Sequence, residues 1–234
     1  MEYKITELIQ EGKTTRTFRL VPVEGKVIDF KSGQFVMLTA EIKVDEKVQL
    51  VKRAYSISSS PKKEYLDLTI RRVPKGLMSN YVMDLKKGDI MEIDGPYGKF
   101  IFEDNMEEIV LIAGGFGVMP FRSMINYIVD NKLNTKVTLI VSERHFNDTV
   151  FKEEFEKLNS THKNINYFIT YTRVDKNPEY GFIGRLDKEK LSKMIINFKK
   201  PYYFSCGSVG FINNIKEILI KQGADEKKID IEGY

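Results

Sequence analysis

The sequence Ile-Val-Leu-Ile-Ala-Gly-Gly-Phe-Gly, residues 109–117, decides the fold of this chain. Its first five residues form a continuous apolar run, which predicts a strand buried on both faces of a parallel sheet. A glycine turn follows, and apolar residues then recur at helical spacing from Phe121 to Val129. Because glycines let a pyrophosphate approach the backbone and a helix N-terminus favours its charge, this order predicts a nucleotide-binding turn.

The alternation of strand and helix continues to the end of the chain. Apolar runs predict further strands, and amphipathic segments between them predict helices. This order indicates a doubly wound α/β domain with a parallel sheet. The predicted strands are 137–141, 165–171 and 202–206, and the predicted helices are 150–158, 188–195 and a last one that carries Phe211, Ile215, Ile218 and Leu219.

The first hundred residues have a different pattern. Short β-branched and alternating runs at 15–21, 34–40 and 66–70 predict a small antiparallel β-barrel. The charged residues 41–52 predict an exposed excursion, and 79–85 predict a short helix that Ser79 caps. We therefore expect two domains, residues 1–103 and 104–234.

Composition narrows the possible functions. The 234 residues are 42% hydrophobic and 30% charged, as in an ordinary globular protein. The sequence contains no run of eighteen apolar residues, so no membrane span is predicted. The first residues lack the apolar stretch of a signal peptide, so we expect a cytoplasmic protein. The net charge of +4 comes from dispersed lysines, which argues against nucleic-acid binding.

Metal chemistry is not expected from this chain. Cys206 is the only cysteine, so neither an internal disulfide nor a cluster bound by four cysteines of this chain can form. His145 and His162 are the only histidines, and their spacing does not suggest zinc.

Two segments of the first half suit an anionic ligand. In Arg53-Ala54-Tyr55-Ser56, the arginine fork matches a phosphate and the tyrosine offers a flat face with a hydroxyl. In Gly76-Leu77-Met78-Ser79, a glycine precedes a helix N-terminus that favours phosphate. The alternatives from residue type alone are core packing for Tyr55 and a plain capped helix after Gly76.

The order and spacing of these segments, of Gly114–Gly117 and of Cys206-Gly207 resemble the ferredoxin–NADP reductase family over nearly the whole chain. The resemblance implies an FAD-binding barrel followed by an NADP-binding α/β domain. It also implies hydride transfer from NADPH to bound FAD, with electrons passing to a separate acceptor such as ferredoxin, flavodoxin or a small molecule.

The resemblance also implies roles for the residues of the barrel. Arg53, with Ala54 beside it, would hold the flavin pyrophosphate, Tyr55 would lie on the isoalloxazine ring, and Ser56 would hydrogen-bond near its N5. A second flavin-phosphate contact would follow Ile70 and Arg71 and comprise Gly76, Leu77, Met78 and Ser79. FMN in place of FAD stays open, because the adenine contacts are not readable from the sequence.

In the second half, the resemblance places Gly114, Gly115, Phe116 and Gly117 at the nicotinamide nucleotide. The family more often has Thr or Ser at Phe116, so a polar contact to the nicotinamide would be lost or replaced by an apolar contact. The expected contacts to the 2′-phosphate of NADP are Ser142, Arg144, Arg173 and Arg185.

NADP is the expected nucleotide, but NAD stays possible for two reasons. Arg173 and Arg185 also resemble arginines of relatives that use NAD. In addition, Glu143 offers a carboxylate for a free ribose hydroxyl.

The resemblance implies that four residues lie at the reacting rings. Cys206, followed by Gly207, would lie beside the nicotinamide without acting as a nucleophile, and Ser56 would lie at the flavin. Glu232 would join the proton network near the flavin, and the Tyr234 ring would cover the flavin until nicotinamide displaces it.

Two other functions remain compatible with the sequence. A free-flavin reductase would bind flavin as a substrate and release it. A non-catalytic electron-transfer subunit would act only within a larger complex. The oligomeric state is not predicted.

Overall fold

The computed structural model describes residues 1–174 and 180–234. The chain forms two compact units. The first comprises Met1–Ile101 and Arg122–Asp130, and the second comprises Phe102–Phe121 and Asn131–Tyr234. No helix in the described part of the chain is long and apolar enough to cross a lipid bilayer.

The first unit is built on a six-stranded antiparallel sheet. Alternate residues such as Tyr3, Ile5, Phe18 and Leu20 are fully buried and face one apolar core. An antiparallel bridge from Ile57, just after the fourth strand, to the fifth strand brings the two ends of the sheet together. The strands are β1 (Glu2–Gly12), β2 (Thr15–Pro22), β3 (Phe35–Val44), β4 (Lys47–Ser56), β5 (Leu66–Arg71) and β6 (Ile90–Tyr97), in the spatial order β4-β3-β6-β1-β2-β5.

The charged excursion predicted at residues 41–52 is exposed, but it is regular structure. It forms the outer part of the β3–β4 hairpin, whose register pairs Val44 with Lys47. Asp45 and Glu46 between them both have positive φ, 46° and 65°. A two-residue turn of this kind matches the twist of the flanking strands, which explains why a polar sequence continues both strands.

The strand β5 is buried on both faces. Leu66, Leu68 and Ile70 face the apolar core, and the alternating Asp67 and Thr69 are also inaccessible. The Asp67 carboxylate accepts hydrogen bonds from Arg19 and Arg122 at 3.0–3.2 Å. Pairing is required here, because an unpaired buried charge would be strongly destabilising.

The short helix of this unit, α1 (Leu77–Asp84), packs against β3, β4 and β5. The prediction that it begins at Ser79 with a serine cap was wrong, because a tight turn from Val73 to Gly76 starts the helix two residues earlier. The Ser79 hydroxyl holds that turn: its oxygen accepts from the Val73 N–H at 3.1 Å, and it donates to the Gly76 carbonyl at 3.3 Å.

The second unit is a six-stranded parallel sheet with helical crossovers, so the predicted doubly wound fold is confirmed. The strands are β7 (Glu108–Gly114), β8 (Lys136–Glu143), β9 (Ile165–Tyr171), β10 (Phe182–Ile183), β11 (Tyr202–Gly207) and β12 (Ile229–Gly233), in the order β10-β9-β8-β7-β11-β12. The helices that follow its strands are α2 (Met119–Asp130), of which Arg122–Asp130 belong to the first unit, α3 (Lys152–Thr161), α4 (Lys188–Met194) and α5 (Val209–Lys221).

The strand order places a switch point between β7 and β11. The chain moves from β7 outward through β8 and β9, then returns to the other side of β7 to form β11 and β12. Ligands of open α/β sheets bind at the carboxyl ends of the strands at such a point. The sequence did not predict β12, whose Ile229 and Ile231 alternate with Asp230 and Glu232 on an edge strand.

Candidate functional site

The structure groups the sequence-predicted residues of the first unit around the end of β4 and the start of α1. Arg53 and Ala54 are exposed, whereas Tyr55 and Ser56 are half-buried. Their cross-strand partners on β3 include Leu38 opposite Arg53 and Val36 opposite Tyr55. Because α1 packs against β4, the two predicted phosphate segments lie on adjoining elements of one unit.

Arg53 is available for an anion. Its guanidinium donates to the Lys52 carbonyl at 2.8 Å and forms no ion pair with any residue in the described part of the chain. Burial raises the pKa of Tyr55 to about 12, although the nearby Arg53 lowers it. The Tyr55 hydroxyl therefore stays protonated at neutral pH, and its ring packs partly against the apolar core.

The N-terminus of α1 has free hydrogen-bond donors. Among the described residues, no side chain caps the helix at Gly76. The first N–H groups of a helix carry partial positive charge and lack helical partners, so they suit a phosphate oxygen. A methyl group at Gly76 would lie 2.6 Å from the Ser79 oxygen, so the turn requires glycine.

The remaining residues predicted at this site have structural partners. Ile70 is buried in the apolar core of this unit, and Met78 is a residue of α1 whose side chain is buried in the same core. Arg71 is half-buried, with its Nε 3.5 Å from the Thr15 hydroxyl, and Leu77 is 39% exposed. Ser79 uses its hydroxyl in the turn that precedes α1, a partner that the sequence did not suggest.

In the second unit, the glycine turn and the Cys206-Gly207 pair meet at the switch point. The turn leaves β7 at Gly114, passes through Gly115 with φ +56°, and runs through one turn of 3-10 helix into α2. A methyl group at Gly117 would collide with the carbonyl oxygen of Cys206. The backbones of the two segments are therefore in direct contact, which only glycine permits at this position.

Phe116 and Tyr234 lie at the same edge of the sheet. Phe116 is half-buried, where the resemblance would have a polar side chain. The Tyr234 hydroxyl donates to the Gly114 carbonyl at 2.8 Å, and its N–H donates to the Gly207 carbonyl at 3.3 Å. Tyr234 thus lies on the glycine turn, with 66% of its surface exposed.

Cys206 and Glu232 are register partners on neighbouring strands. Cys206 is 2% exposed, and burial, helped by Glu232, raises the pKa of its thiol far above the usual value. Burial also raises the pKa of the half-buried Glu232. The site therefore combines a neutral thiol with a carboxyl group that holds its proton to higher pH than usual.

Three exposed arginines follow the ends of β8, β9 and β10. The Arg173 N–H donates to the Arg144 carbonyl at 2.9 Å, so these two residues are adjacent. Arg185 follows Gly184, whose N–H donates to the carbonyl of Tyr171 at the end of β9. None of the three arginines forms an ion pair within residues 1–174 and 180–234, so this edge carries unneutralised positive charge.

Ser142 and Glu143 complete this edge. Ser142 is half-buried and lies in register with Gly114 of β7. Glu143 is only 4% exposed, and its Oε2 accepts from the Arg144 N–H at 3.2 Å. Its other oxygen, Oε1, lies beside the glycine turn, 3.8 Å from where a methyl group at Gly115 would be.

Sequence reasoning missed one residue at this site. Phe211, in the first turn of α5, fills the space beside Gly114 and Gly207. The available signal was a large apolar residue four positions after Gly207, and the helical pattern assigned it only to the core.

Comparisons with known proteins agree with this geometry. The family model "Oxidoreductase FAD-binding domain" matches residues 2–102, and the model "Oxidoreductase NAD-binding domain" matches residues 111–217. A glycine betaine monooxygenase reductase subunit of Chromohalobacter salexigens is 30% identical, with 99% of this chain and 63% of that protein covered. A flavohemoprotein of Bacillus cereus is 28% identical, with 99% and 60% covered. The chain thus spans about six-tenths of the length of these curated relatives.

Solved structures share the fold at lower sequence identity. The flavohem-like FAD/NAD binding domain of a nitric oxide dioxygenase from Vibrio cholerae aligns with a TM-score of 0.90 at 21% identity, covering 100% of this chain and 98% of that one. A ferredoxin NADP+ reductase from Neisseria gonorrhoeae with bound FAD and NADP aligns with a TM-score of 0.84 at 21% identity, with the same coverage.

Proposed function

Because the chain belongs to the ferredoxin–NADP reductase-like family of FAD- and NAD(P)-binding oxidoreductases, we propose that it transfers a hydride from NADPH to bound FAD and passes the electrons to a separate acceptor. When bound, the flavin supplies the redox chemistry, because it accepts a hydride at N5 and can release electrons singly or in pairs. The protein supplies binding, orientation and exclusion of water.

The observation that carries this proposal is the backbone contact between Gly117 and Cys206 at the switch point. It gathers the glycine turn, the α2 N-terminus, Cys206 and Glu232 at one edge of the sheet. A pyrophosphate on the turn would be held by backbone N–H groups and the helix dipole. The attached nicotinamide would then lie beside Cys206.

On the first unit, the residues fit a flavin with a phosphate group. Arg53 offers an unpaired fork, and α1 offers uncapped N–H groups, so two independent groups favour a pyrophosphate. The Tyr55 ring would lie against the isoalloxazine. The hydroxyl of Ser56 would hydrogen-bond near N5, and the hydroxyl of Tyr55 would stay protonated at neutral pH.

The preference for NADPH over NADH rests on the sheet edge beyond the glycine turn. Arg144, Arg173 and Arg185 present exposed guanidinium groups, and Ser142 adds a hydroxyl beside them. A 2′-phosphate would gain charge-assisted hydrogen bonds worth about 1.5–3 kcal/mol each.

At the reacting edge, the buried residues would shape the environment of the nicotinamide. The neutral Cys206 thiol would contact the ring without attacking it, since thiolate formation is strongly disfavoured there. Glu232 would hold a proton close to the reacting atoms. Tyr234 would have to leave the glycine turn, at least in part, when the nucleotide binds.

We propose a separate protein as the electron acceptor. Among the relatives, one is a reductase subunit of a monooxygenase, and one structural neighbour is a ferredoxin NADP+ reductase. The single cysteine of this sequence cannot hold an iron–sulfur cluster of four thiolates, so such a cluster would lie outside these 234 residues. Ferredoxin and flavodoxin are the leading candidates, and we expect them to meet this protein in the cytoplasm.

The test is to purify the chain, measure bound flavin by mass and absorbance, and follow reduction of a one-electron dye with NADPH and with NADH. We expect equimolar FAD and steady dye reduction that NADPH supports better. A colourless protein that reduces added flavin would instead identify a free-flavin reductase. A yellow protein that neither nucleotide reduces would identify an electron-transfer subunit.

A further inference from the structure

Three neighbouring strands of the second unit each end in a glycine. Gly114 ends β7, Gly207 ends β11 and Gly233 ends β12. The first turn of α5 lies against all three strand ends, because atoms of Val209, Phe211 or Ile212 are the nearest side-chain neighbours of each glycine. One helical turn therefore covers the edge to which the proposed function assigns the nicotinamide.

The Phe211 ring is central to this packing. A methyl group at Gly114 would lie 2.8–3.1 Å from three carbons of the ring, and one at Gly207 would lie 2.9 Å from the same ring. The ring thus occupies the side-chain space of two residues on different strands. Phe211 is itself half-buried and packs on the apolar core of this unit.

Gly114 shows that the constraint comes from the ring and not from the backbone. Its φ of −99° and ψ of 106° are ordinary extended values that any residue adopts. The three heavy atoms nearest to a methyl group at this position all belong to Phe211. The phenylalanine ring is therefore the main obstacle to a methyl group at residue 114.

We propose that Phe211 is a positioning residue for the nicotinamide nucleotide. By filling the space beside Gly114 and Gly207, the ring fixes the distance between the glycine turn and the Cys206-Gly207 pair. The inference rests on the proposed function, because it assigns both segments to that nucleotide. Phe211 acts through the backbone and is not itself expected to touch the reacting atoms.

The physical reason is the rigidity of close packing. The ends of β7 and β11 are already paired with each other, so the void left by removing the ring can be filled only if these strand ends and α5 move toward each other. A displacement of about 1 Å at a reacting centre can lower a rate by roughly a hundredfold. The effect should therefore appear in nucleotide binding and hydride transfer, and not only in stability.

The experiment compares Phe211→Ala with Phe198→Ala in the full chain with its flavin bound. Phe198 is also half-buried and packs on the same apolar core, but α5 does not carry it. We expect similar losses of melting temperature for the two variants. Only Phe211→Ala should raise the NADPH KM and slow flavin reduction in stopped flow, by roughly 10- to 100-fold, and Phe211→Leu should recover most of that loss.

A second test asks whether the Phe211 ring is what excludes a methyl group from residue 114. Gly114→Ala alone should impair nucleotide binding, and the double variant Gly114→Ala/Phe211→Ala should bind better than Gly114→Ala, because the methyl group then occupies vacated space. The proposal would be overturned by two results together. These are that Phe211→Ala and Phe198→Ala change KM and flavin reduction equally, and that the double variant binds no better than Gly114→Ala.

Failure of the proposed function would look different. In that case the parent protein itself would show no reduction of flavin by NADPH or NADH. The packing role would then still be measured by hydrogen exchange, since Phe211→Ala should speed amide exchange in residues 114–118 and 206–208 while Phe198→Ala should not. Unchanged exchange in both segments would refute the packing role as well.

Discussion

The two candidate phosphate sites of this molecule are built in different ways. The site on the antiparallel unit uses an exposed charged side chain, Arg53, and the open N-terminus of α1. The site on the parallel sheet uses the backbone, where Gly117 lies against Cys206 and no other residue would fit. Side chains supply the affinity at the first site, and close approach of the main chain shapes the second.

This difference determines how each site should respond to mutation. An exposed arginine can be removed without disturbing the core, so its loss should weaken ligand binding and leave the fold intact. A glycine in backbone contact cannot accept a methyl group without moving two strands, so its loss should affect fold and binding together.

The largest effect is expected for Gly117→Ala. The new methyl group would collide with the Cys206 carbonyl, so the turn must move away from β11. We expect unfolding free energy to fall by about 1–3 kcal/mol and reduction of flavin by NADPH to slow by roughly a hundredfold. Urea unfolding and stopped-flow absorbance measure these quantities.

The matched control is Gly210→Ala in the first turn of α5, where a methyl group meets no atom within 4 Å. It should keep activity and gain up to about 1 kcal/mol of stability, because alanine favours a helix. Equal behaviour of the two variants would refute the backbone-contact account of this site.

The next effect concerns the side-chain site. Arg53→Ala should weaken FAD binding by roughly 10- to 100-fold, the loss expected for a charge-assisted hydrogen bond to phosphate. Equilibrium dialysis of flavin against the purified variant measures this loss, and the melting temperature of the flavin-free protein should not change. Lys52→Ala, an exposed cation on the neighbouring position of β4, should retain FAD. An unchanged flavin content in Arg53→Ala would place the pyrophosphate elsewhere.

A smaller effect is expected at the sheet edge, where losing one arginine should reduce activity with NADPH more than activity with NADH. Arg144→Ala should lower kcat/KM with NADPH by roughly tenfold or more, because one charged contact to the 2′-phosphate is lost. With NADH, which lacks that phosphate, kcat/KM should stay within about twofold. Equal losses with both nucleotides would remove the argument for NADPH.

The smallest effect is a pH dependence of stability from Glu232. Burial raises its pKa above the ordinary value of 4.5, so the folded state keeps a proton that the unfolded state has lost. Unfolding free energy should therefore decrease as pH rises from about 4.5 toward the raised folded value. Glu232→Gln should flatten this decrease in thermal unfolding measured across that range.

Asp187 provides a control of opposite sign. Lys190 lowers its pKa, so the stabilisation it gives is present above its unfolded pKa and is lost as pH falls through the folded one. Asp187→Asn should therefore lower stability above the unfolded pKa of this group and have little effect at the acid end, where the parent protein has already lost that stabilisation. If Glu232→Gln changed stability equally at every pH, the carboxyl group would not be the cause.

The antiparallel unit and the parallel sheet also differ in how much of their structure the sequence could predict. Periodicity was sufficient for four strands of the parallel sheet, because runs such as 109–113 and 165–171 are apolar and separated by amphipathic helices, but it did not predict the edge strands β10 and β12. It was sufficient for the antiparallel unit too, but not for the β3–β4 hairpin. There, the positive φ angles of Asp45 and Glu46 form a turn that lets both strands continue through a polar sequence, and no local sequence pattern predicts these angles.

The candidate site was predictable where residue type carries the chemistry. Arg53, Arg144 and the glycine turn were predicted from residue type, and the structure leaves both arginines exposed and places the turn after β7. Their roles in binding stay predictions. Ser79 could not be placed correctly, because its hydroxyl bonds to Val73, outside the helix that it was expected to cap. Phe211 could not be assigned either, since its contact with Gly114 depends on how α5 packs across two strands.

The most direct test of the central claim is anaerobic titration of the parent protein, Arg53→Ala and Gly117→Ala with NADPH, followed by flavin absorbance. We expect an equimolar amount of NADPH to reduce the bound FAD of the parent protein. Arg53→Ala should lose FAD, and Gly117→Ala should keep FAD that dithionite reduces readily and NADPH only slowly. A parent protein whose bound flavin stays oxidised in excess NADPH and NADH would contradict the account.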